Sequence, residues 1–477
     1  RVVVGVLGTP YADSNARGVF VTRDGGVHWS RTLFAGPASG VSEVTRVPDR
    51  PSTLFAGVWQ FRRQPWSLTS GGESDGLYRS NDGGSTWRRL SGNGLPAGMI
   101  GKVGVAAGSH GRVYARIQSR EGELWRSDDY GATWRKMPHS PLLGARPFYF
   151  THVFVDPANP NRLINVELIL SMSTDGGKTF HAIAKNAGWD YHYTWWSSDG
   201  RRVINANDEG VILSGDGGNH WWQPYALPFS QPYHIGFDNE LPHYHVCIGL
   251  QDDNSWCAPS SSDNGVGVLN RDWRNIAPGD GMWSIFDPSD PNIVWSTETG
   301  NNPGQVFITD LRTNEVSEVS PESHFTGGQP ASTYQHRFNW DMPIAFTSGE
   351  HPDLLAGGNV VFATADRGQH WRVISPDLTR NDKSHQRISG GPISFDMSGA
   401  ENADTIMDIA PSTRAHGVIW VSTDDGLVQL TRNAGAAWAN VTPAALPKWA
   451  RVPTVEPGRY ADAVSYTHLT LPTILRV

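Results

Sequence analysis

The sequence predicts an all-β protein, built as a multi-bladed β-propeller of four-stranded antiparallel blades. Three observations predict this fold class: a short motif that recurs along the chain, a spacing close to the length of one blade, and a suitable composition. The 477 residues include 52 Gly, 32 Pro and 20 Trp, and only 18% are charged. Such a composition favours many short strands with tight turns and aromatic packing, and it disfavours a helical bundle.

The recurring motif is Ser/Thr-x-Asp-x-Gly-x-x-Trp/Phe. Intact copies occupy residues 22–29, 80–87, 127–134, 173–180, 214–221 and 364–371, and a seventh copy at 431–438 has Asn433 in place of Asp. The first five copies follow one another at about 40 to 60 residues, which is close to the length of one four-stranded blade. Each copy therefore marks the end of a blade.

No intact copy lies between residues 221 and 371, where two weaker blades are predicted. One closes near Trp273, and the other contains the hairpin 306–319. About nine blade closings are then expected, near residues 29, 87, 134, 180, 221, 273, 318, 371 and 438. They form two tandem propellers or one large wheel, and the sequence leaves both arrangements open.

The domain assignment follows from these copies. Residues 1–225 carry the first group of motif blades, and residues 226–457 carry further blades with partly altered motifs. The chain opens on the apolar run Arg1-Val2-Val3-Val4, so the first blade is expected to lack partner strands. Residues 465–477 continue no blade and are expected to be a non-native tail.

The motif has a local structural explanation. Asp and Ser/Thr side chains can hydrogen-bond the backbone of a tight turn, Gly supplies a positive φ, and the aromatic ring packs beneath the turn. Because the motif recurs blade after blade, a structural role is expected for its aspartates rather than a catalytic one. They are Asp24, Asp82, Asp129, Asp175, Asp216 and Asp366.

Longer sequence segments beside the motif resemble those of a known family. They include Gly18-Val19-Phe20 before the first copy and the segments 76–80, 374–382, 417–420 and 424–428. These phrases resemble the Asp-box (bacterial neuraminidase repeat) propellers, in particular the large bacterial glycosyl-hydrolase-like or sortilin N-terminal-like branch. The resemblance implies an exported protein, extracellular or periplasmic, whose signal peptide is absent from this sequence.

The resemblance leaves two functions open. One is a carbohydrate-active propeller, glycoside hydrolase-like or merely glycan-binding, and the other is a non-catalytic sortilin-like scaffold that binds peptide or protein. Sialidases belong to the same class of propellers, but no Arg-Ile-Pro-type entry motif occurs here. Whether the chain is an enzyme stays undecided, because one fold serves many functions.

Polar and aromatic residues that do not repeat from blade to blade gather in residues 233–283, and we expect the functional surface there. Asp208, Asp252 and Asp280 are the candidates for catalysis. Glycoside hydrolysis needs two carboxyl groups about 5–5.5 Å apart for retention or about 6.5–9.5 Å for inversion. The residues expected to bind a ligand are His234, His245, Gln251, Trp256, Trp283 and Trp340.

Asp208 has a competing explanation. It stands before Glu209-Gly210, and Asp75-Gly76 and Asp425-Gly426 occupy a comparable place in other blades. This repetition favours a turn residue over a catalytic one.

Net charge and hydropathy limit the classes of partner that are expected. A net charge of −8 and a pI near 6.1 argue against a nucleic-acid partner. No apolar stretch reaches the ~20 residues that span a bilayer. We expect no cofactor and no metal, because the alternating His243 and His245 are more typical of one strand face than of a ligand pair. Whether Cys247 and Cys257 form a disulfide stays open.

Overall fold

The computed structural model describes residues 1–185, 187–224, 230–299, 302–322, 327–458 and 460, and the backbone of residues 465–468. Within these residues the regular structure is β, apart from two 3-10 turns at Asn270–Asp272 and Ala331–Thr333. Named strands pair antiparallel with near neighbours in sequence. The all-β propeller fold is therefore confirmed. No helix in the described part of the chain is long and apolar enough to cross a membrane.

The chain forms two compact units. The first comprises residues 1–228 and 389–396, and the second comprises residues 229–388 and 397–477. The predicted boundary at 225/226 falls within residues 225–229, which lie outside the described residues. The return of residues 389–396 to the first unit was not predicted, because no motif or repeat marks this segment.

Residues 389–396 form hydrogen bonds with backbone and side-chain groups in the rest of the first unit. The backbone N–H of Leu68 donates to Ser389 Oγ at 2.9 Å, and the N–H of Ser70 donates to the carbonyl of Gly391 at 2.9 Å. Gln118 Nε2 donates to Ser394 Oγ at 2.8 Å. Because buried polar groups need partners, these bonds hold the segment on the first unit.

The described residues of the first unit form five sheets. The first sheet contains β1 (Val2–Val6), β2 (Gly18–Thr22) and β3 (Ser30–Leu33). The second contains β4 (Ser39–Arg46), β5 (Leu54–Gln64), β6 (Ser67–Ser70), β7 (Gly76–Ser80) and β8 (Arg88–Arg89). The third contains β9 (Val103–Ala107), β10 (Val113–Ile117), β11 (Leu124–Ser127) and β12 (Arg135–Lys136). The fourth contains β13 (His152–Val155), β14 (Leu163–Val166), β15 (Ser171–Ser173) and β16 (His181–Ala182). The fifth contains β17 (Tyr191–Trp196), β18 (Val203–Asn207) and β19 (Gly210–Ser214).

In the part of the second unit that the structure describes, there are four sheets and a two-stranded ribbon. The sixth sheet contains β20 (Pro232–Phe237), β21 (His245–Leu250), β22 (Ser255–Pro259) and β23 (Arg274–Ala277). The seventh contains β24 (Asp280–Asp287), β25 (Asp290–Thr299), β26 (Gln305–Asp310) and β27 (Glu315–Glu318). The eighth contains β28 (Ile344–Phe346), β29 (Leu354–Gly357), β30 (Val361–Thr364) and β31 (Arg372–Val373). The ninth contains β32 (Ile406–Pro411), β33 (Ile419–Thr423), β34 (Val428–Thr431) and β35 (Trp438–Asn440). The ribbon pairs β36 (Thr454–Pro457) with β37 (Ser465–His468), and residues 469–477 of the predicted tail lie outside the described residues.

The blade closings agree with the prediction, including the two without an intact motif. β23 follows Trp273 and closes the sixth sheet, and β27 ends at Glu318 and closes the seventh. Among the described residues, the first sheet has three strands, with β1 at its edge. The fifth sheet also has three named strands, and a single bridge from Leu213 to Trp222 stands where its fourth would lie.

The core of each unit lies between consecutive sheets. Every residue of the central strand β10 is buried, whereas both residues of the outer strand β12 are exposed. Trp125 and Trp134 pack with Phe55 and Val103 in the first unit, and Trp295 packs with Ile344 and Phe362 in the second. Tryptophan fills the wide spaces that fan-shaped sheets leave between them, which explains its abundance.

The motif turns share one hydrogen-bond pattern. In the first, Thr22 Oγ1 donates to Asp24 Oδ1 at 2.8 Å and accepts the N–H of Gly26 at 3.0 Å. The N–H of His28 donates to Asp24 Oδ1 at 3.0 Å, and Trp29 Nε1 donates to the carbonyl of Gly26 at 3.1 Å. The backbone bonds recur at the other copies. Asn433 of the seventh copy accepts the N–H of Ala437 at 2.8 Å through its Oδ1.

These hydrogen bonds make the turns sensitive to acid. The side-chain and backbone bonds from His370 lower the pKa of Asp366 to about 2, against 3.8 for an unperturbed carboxyl. A carboxyl whose pKa is lower in the folded state stabilises the fold above its unfolded pKa, and this contribution is lost as the pH falls. We therefore expect Asp366→Asn to fold, to be less stable near neutral pH, and to lose less stability between about pH 4 and pH 2.

The measurement is the thermal unfolding midpoint of each variant along an acid series. Asn433→Asp is the matched control, because it adds the carboxylate that the seventh copy lacks and should steepen the acid response. Equal acid responses in Asp366→Asn and the unchanged protein would contradict the prediction.

Candidate functional site

The topology of the blades separates the motif turns from the expected site. In a four-stranded blade the motif turn joins the third strand to the fourth. The beginning of the first strand and the turn between the second and third strands lie at the opposite end. Tyr233 and His234 lie near the start of β20, Asp280 begins β24, and Gln251 follows β21 at such a turn. In the second unit these positions come together.

Tyr233 is half-buried and hydrogen-bonded on two sides. Its hydroxyl donates to Gln251 Oε1 at 3.1 Å, and the side chain of Trp340 also hydrogen-bonds it. Burial, then the negative charges of Asp280, Asp252 and nearby Asp341, raises the pKa of Tyr233 to about 12. The phenol therefore stays protonated and acts as a neutral hydrogen-bonding group.

His234 links aromatic and acidic side chains. Its Nε2 lies 2.9 Å from both carboxylate oxygens of Asp341, and its ring stacks on Trp283 with centroids 3.9 Å apart. Asp408 is a buried residue of β32, and the charges of His234 and Asp341 both act on it. Burial, and to a lesser degree the charge of Asp341, raises the pKa of Asp408 to about 6, whereas His234 opposes this shift.

The turn between β21 and β22 is held against the start of β24. The N–H of Asp252 donates to Asp280 Oδ1 at 2.9 Å, and the N–H of Asn254 donates to the carbonyl of Gly279 at 2.9 Å. Asp252 and Asn254 have φ of 62° and 67°, which Asp and Asn tolerate better than most residues. Between them, Asp253 is half-buried, and burial followed by the charge of Asp252 raises its pKa.

A disulfide braces the hairpin that carries this turn. Cys247 of β21 and Cys257 of β22 lie directly opposite each other and are bonded, with Cα atoms 4.1 Å apart. The bond fixes the register of the two strands.

Glu298 of β25 is a buried acid beside these groups. Its side chain is 2% exposed, Ser255 Oγ donates to Oε1 at 2.8 Å, and Oε2 has no hydrogen-bond partner among the described residues. Burial raises the pKa of Glu298 well above its usual value, and the charge of Asp280 raises it further.

We call this assembly the acidic–aromatic cluster. Its carboxyl groups accept hydrogen bonds, its rings offer apolar faces, and burial raises the pKa of Asp253, Glu298 and Asp408. Such a set suits a polyhydroxylated ligand and includes the groups that acid–base catalysis needs. Its members are Tyr233, His234, Gln251, Asp252, Asp253, Asp280, Trp283, Glu298, Trp340, Asp341 and Asp408.

Most of the predicted site residues lie in the cluster or beside it. The members predicted from sequence are His234, Gln251, Asp252, Asp280, Trp283 and Trp340. Trp256 adjoins it, because its Nε1 donates to the carbonyl of Asp253 at 2.6 Å. Tyr233 and Asp253 lie in the stretch 233–283 where the functional surface was expected, and Glu298, Asp341 and Asp408 were not predicted. Tyr233 and Asp253 border predicted residues, but Glu298 and Asp408 lie in apolar strands and carry no sequence signal.

His245 makes a different set of contacts. Its Nδ1 lies 2.8 Å from Asp238 Oδ2 and 3.7 Å from Glu240 Oε2. These three residues are of the types that bind metals. However, Asp238 Oδ1 accepts the backbone N–H of His245 at 2.9 Å, and the same carboxylate partners the ring. The contacts satisfy these groups without an ion, so we assign no metal here.

Asp208 lies in the first unit, on the turn between β18 and β19, and its Oδ1 is 2.6 Å from His192 Nε2. At the comparable turns, Asp75 and Asp425 are buried and accept the backbone N–H of Gln60 and Arg380, each at 2.5 Å. Burial raises the pKa of Asp75 to about 8. Asp208 itself is exposed, and its catalytic role stays a prediction.

Comparison with protein-family models gives no match, and no curated protein matches. Among solved structures, the chain is similar to an ancestral GH74 enzyme at 13% identity and TM-score 0.33, over 98% of this chain and 74% of that one. A Niastella koreensis GH74 enzyme is similar at 13% identity and TM-score 0.35, over 90% and 82%. YCF48 bound to D1 peptide is similar at 13% identity and TM-score 0.28, over 61% and 88%. Likenesses this distant concern the fold and carry no argument about the site.

Proposed function

We propose that the chain is a carbohydrate-active propeller of the Asp-box type and that it binds a sugar at the acidic–aromatic cluster. One observation carries the proposal: half-buried aromatic rings meet half-buried and buried carboxyl groups from four consecutive blades at one end of the second unit. Tyr233 and Trp340 offer ring faces that can stack on a sugar, and Asp252, Asp253 and Asp341 accept its hydroxyl hydrogen bonds.

The hydrolytic form of the proposal gives Asp253 the role of general acid. Its raised pKa favours a carboxyl group that can donate a proton to the glycosidic oxygen as the bond from the anomeric carbon breaks. Asp252 or Asp280 would take a proton from the water whose oxygen bonds to that carbon. The ring of Trp283, held by His234, would flank the reacting sugar.

The first test is a screen against glycans and peptides, followed by calorimetry on the best ligand. We expect an oligosaccharide to bind, and Trp340→Ala to weaken binding about tenfold, because one stacking face is lost. The matched control is Trp189→Ala, since Trp189 is an exposed tryptophan of the first unit. Binding of peptides alone would overturn the proposal in favour of a scaffold.

The second test separates hydrolysis from binding. Asp253→Asn should retain sugar affinity and lose turnover by about a hundredfold or more. Asp252→Asn and Asp280→Asn then identify the base, because only the true base should be equally impaired. Binding without turnover in the unchanged protein would contradict the hydrolytic step and leave the sugar site standing.

A further inference from the structure

The fifth sheet of the first unit has one covered face and one open face. Its covered face packs on the fourth sheet through buried residues such as Trp196, Val203 and Ile212. Its other face carries a row of four residues that lie directly opposite one another from strand to strand, with a second pair beside them. We call this surface the open face, and its residues are Trp195, Ile204, Ala206, Val211, Leu213 and Trp222.

The burial pattern along the strands shows that the open face lacks the cover that other sheets have. Every residue of β10 and β14, the second strands of the third and fourth sheets, is buried, because a neighbouring sheet covers each face. In β18, which holds the same place in the fifth sheet, Val203 and Asn205 are buried but Ile204 is 39% exposed. Trp195 is 47% exposed and Trp222 is 58% exposed. The described residues therefore leave uncovered an apolar patch of the kind that marks an interaction surface.

The open face fits a protein surface better than a sugar. Its six residues carry no charge, hydroxyl or amide side chain, whereas a sugar site needs polar groups that bind the hydroxyls. The first charge lies at the rim, at Arg202 before β18. A surface without charge can pack on a copy of itself without bringing like charges together, which a two-fold contact requires. A second copy of this chain therefore meets the chemistry of the face.

We propose that the open face joins two copies of this chain, with the fifth sheet of one packed on the fifth sheet of the other about a two-fold axis. Apolar faces of two sheets pack with interdigitated side chains, as consecutive blades do within the unit. The two half-exposed tryptophans offer roughly 200 Å² per copy, and the aliphatic residues add to this area. The contact stays below the ~1,200–2,000 Å² of stable interfaces, so we expect a weak dimer with a Kd of about 10–100 μM.

The test is sedimentation velocity of the unchanged chain from about 1 μM to about 500 μM, a range that brackets the expected Kd. The 52.3 kDa chain should sediment as a monomer at the low end and mainly as a species of twice that mass at the high end. Ile204→Lys puts a cation at the centre of both copies and should weaken association by about tenfold or more. Phe237→Lys is the matched control, because Phe237 is an apolar residue of β20 that is 65% exposed, and this variant should associate as the unchanged chain does.

Charge reversal at the same position tests the two-fold contact. Ile204→Asp should also be monomeric, but an equimolar mixture of Ile204→Asp and Ile204→Lys at about 0.05 M salt should associate again, because opposite charges then meet. Trp222→Lys, which changes the last residue of the row, should weaken association as Ile204→Lys does. Each variant replaces an exposed side chain, so its melting temperature should equal that of the unchanged chain.

Three results would overturn the inference. They are an unchanged chain that stays monomeric at the highest concentration, association that survives both Ile204→Lys and Trp222→Lys, and a mixture of the two oppositely charged variants that stays monomeric. Loss of association in Phe237→Lys would also overturn it, because the contact would then lie on the sixth sheet. None of these results depends on whether the acidic–aromatic cluster binds a sugar.

Discussion

Replacing Trp134 by alanine is expected to destabilise the first unit by about 3–5 kcal/mol, the usual cost of removing a buried tryptophan. The side chain is 6% exposed and packs edge-on against Phe55 with ring centroids 6.3 Å apart. Its Nε1 donates to the carbonyl of Gly131 at 3.2 Å. The substitution leaves a cavity between two sheets that rigid strands cannot close, so the lost contacts are not replaced.

Trp29 provides the matched control, because it occupies the same position of the same motif and makes the same bond to Gly26. It is 45% exposed, so Trp29→Ala should cost about 1 kcal/mol. Denaturant unfolding followed by circular dichroism gives both values. If the two variants lose equal stability, the cost comes from the turn and not from burial. Loss of sugar binding by Trp134→Ala at an unchanged melting temperature would contradict the structural role of the motif.

Arg116→Met is expected to destabilise the first unit by a comparable amount, because it leaves a buried charge without its partner. Arg116 Nη2 lies 2.5 Å from Glu167 Oε1, and the two side chains of this ion pair are at most 3% exposed. Glu167 also accepts the N–H groups of Gly144 at 2.6 Å and Ala145 at 3.1 Å. Removing the arginine leaves a carboxylate buried without its cation, which typically costs about 3–5 kcal/mol.

Two further variants isolate the cause. Arg312→Met breaks an ion pair with Asp310 at the surface and should change stability by less than about 1 kcal/mol. The double variant Arg116→Met/Glu167→Gln should recover part of the loss, because no charge is then left unpaired. A double variant as unstable as Arg116→Met alone would show that the lost packing of the arginine stem, and not its charge, accounts for the effect.

The sequence predicted the blades because their signals are local. A Ser/Thr, an Asp, a Gly and a Trp within eight residues make one turn through bonds such as that from Thr22 to Asp24, so each copy folds alike wherever it occurs. Even the blades near Trp273 and Glu318 were predictable, because their strands keep the spacing of the others. Because the motif aspartates recur from blade to blade and the candidate site residues do not, recurrence alone separates the two groups.

Part of the acidic–aromatic cluster was also predictable from sequence. The stretch that departs from the repeat contains His234, Gln251, Asp252, Asp280 and Trp283, and the structure brings all five together. A departure from the repeat indicates where strict blade geometry is relaxed, and loops on a rigid scaffold are where ligands usually bind. The sequence could not tell that His245 would instead face Asp238.

Only the tertiary structure decided which distant residues complete the cluster. Asp341 and Asp408 come from later blades, and only the packing of first strands around one end brings them to His234. Burial, which depends on every neighbouring sheet, decided that Asp253 and Glu298 have raised pKa values. The sequence by itself determined the blades, because hydrogen bonds within a turn depend on adjacent residues. The tertiary structure decided which residues form the acidic–aromatic cluster, because desolvation and charge act through space between residues that the chain keeps far apart.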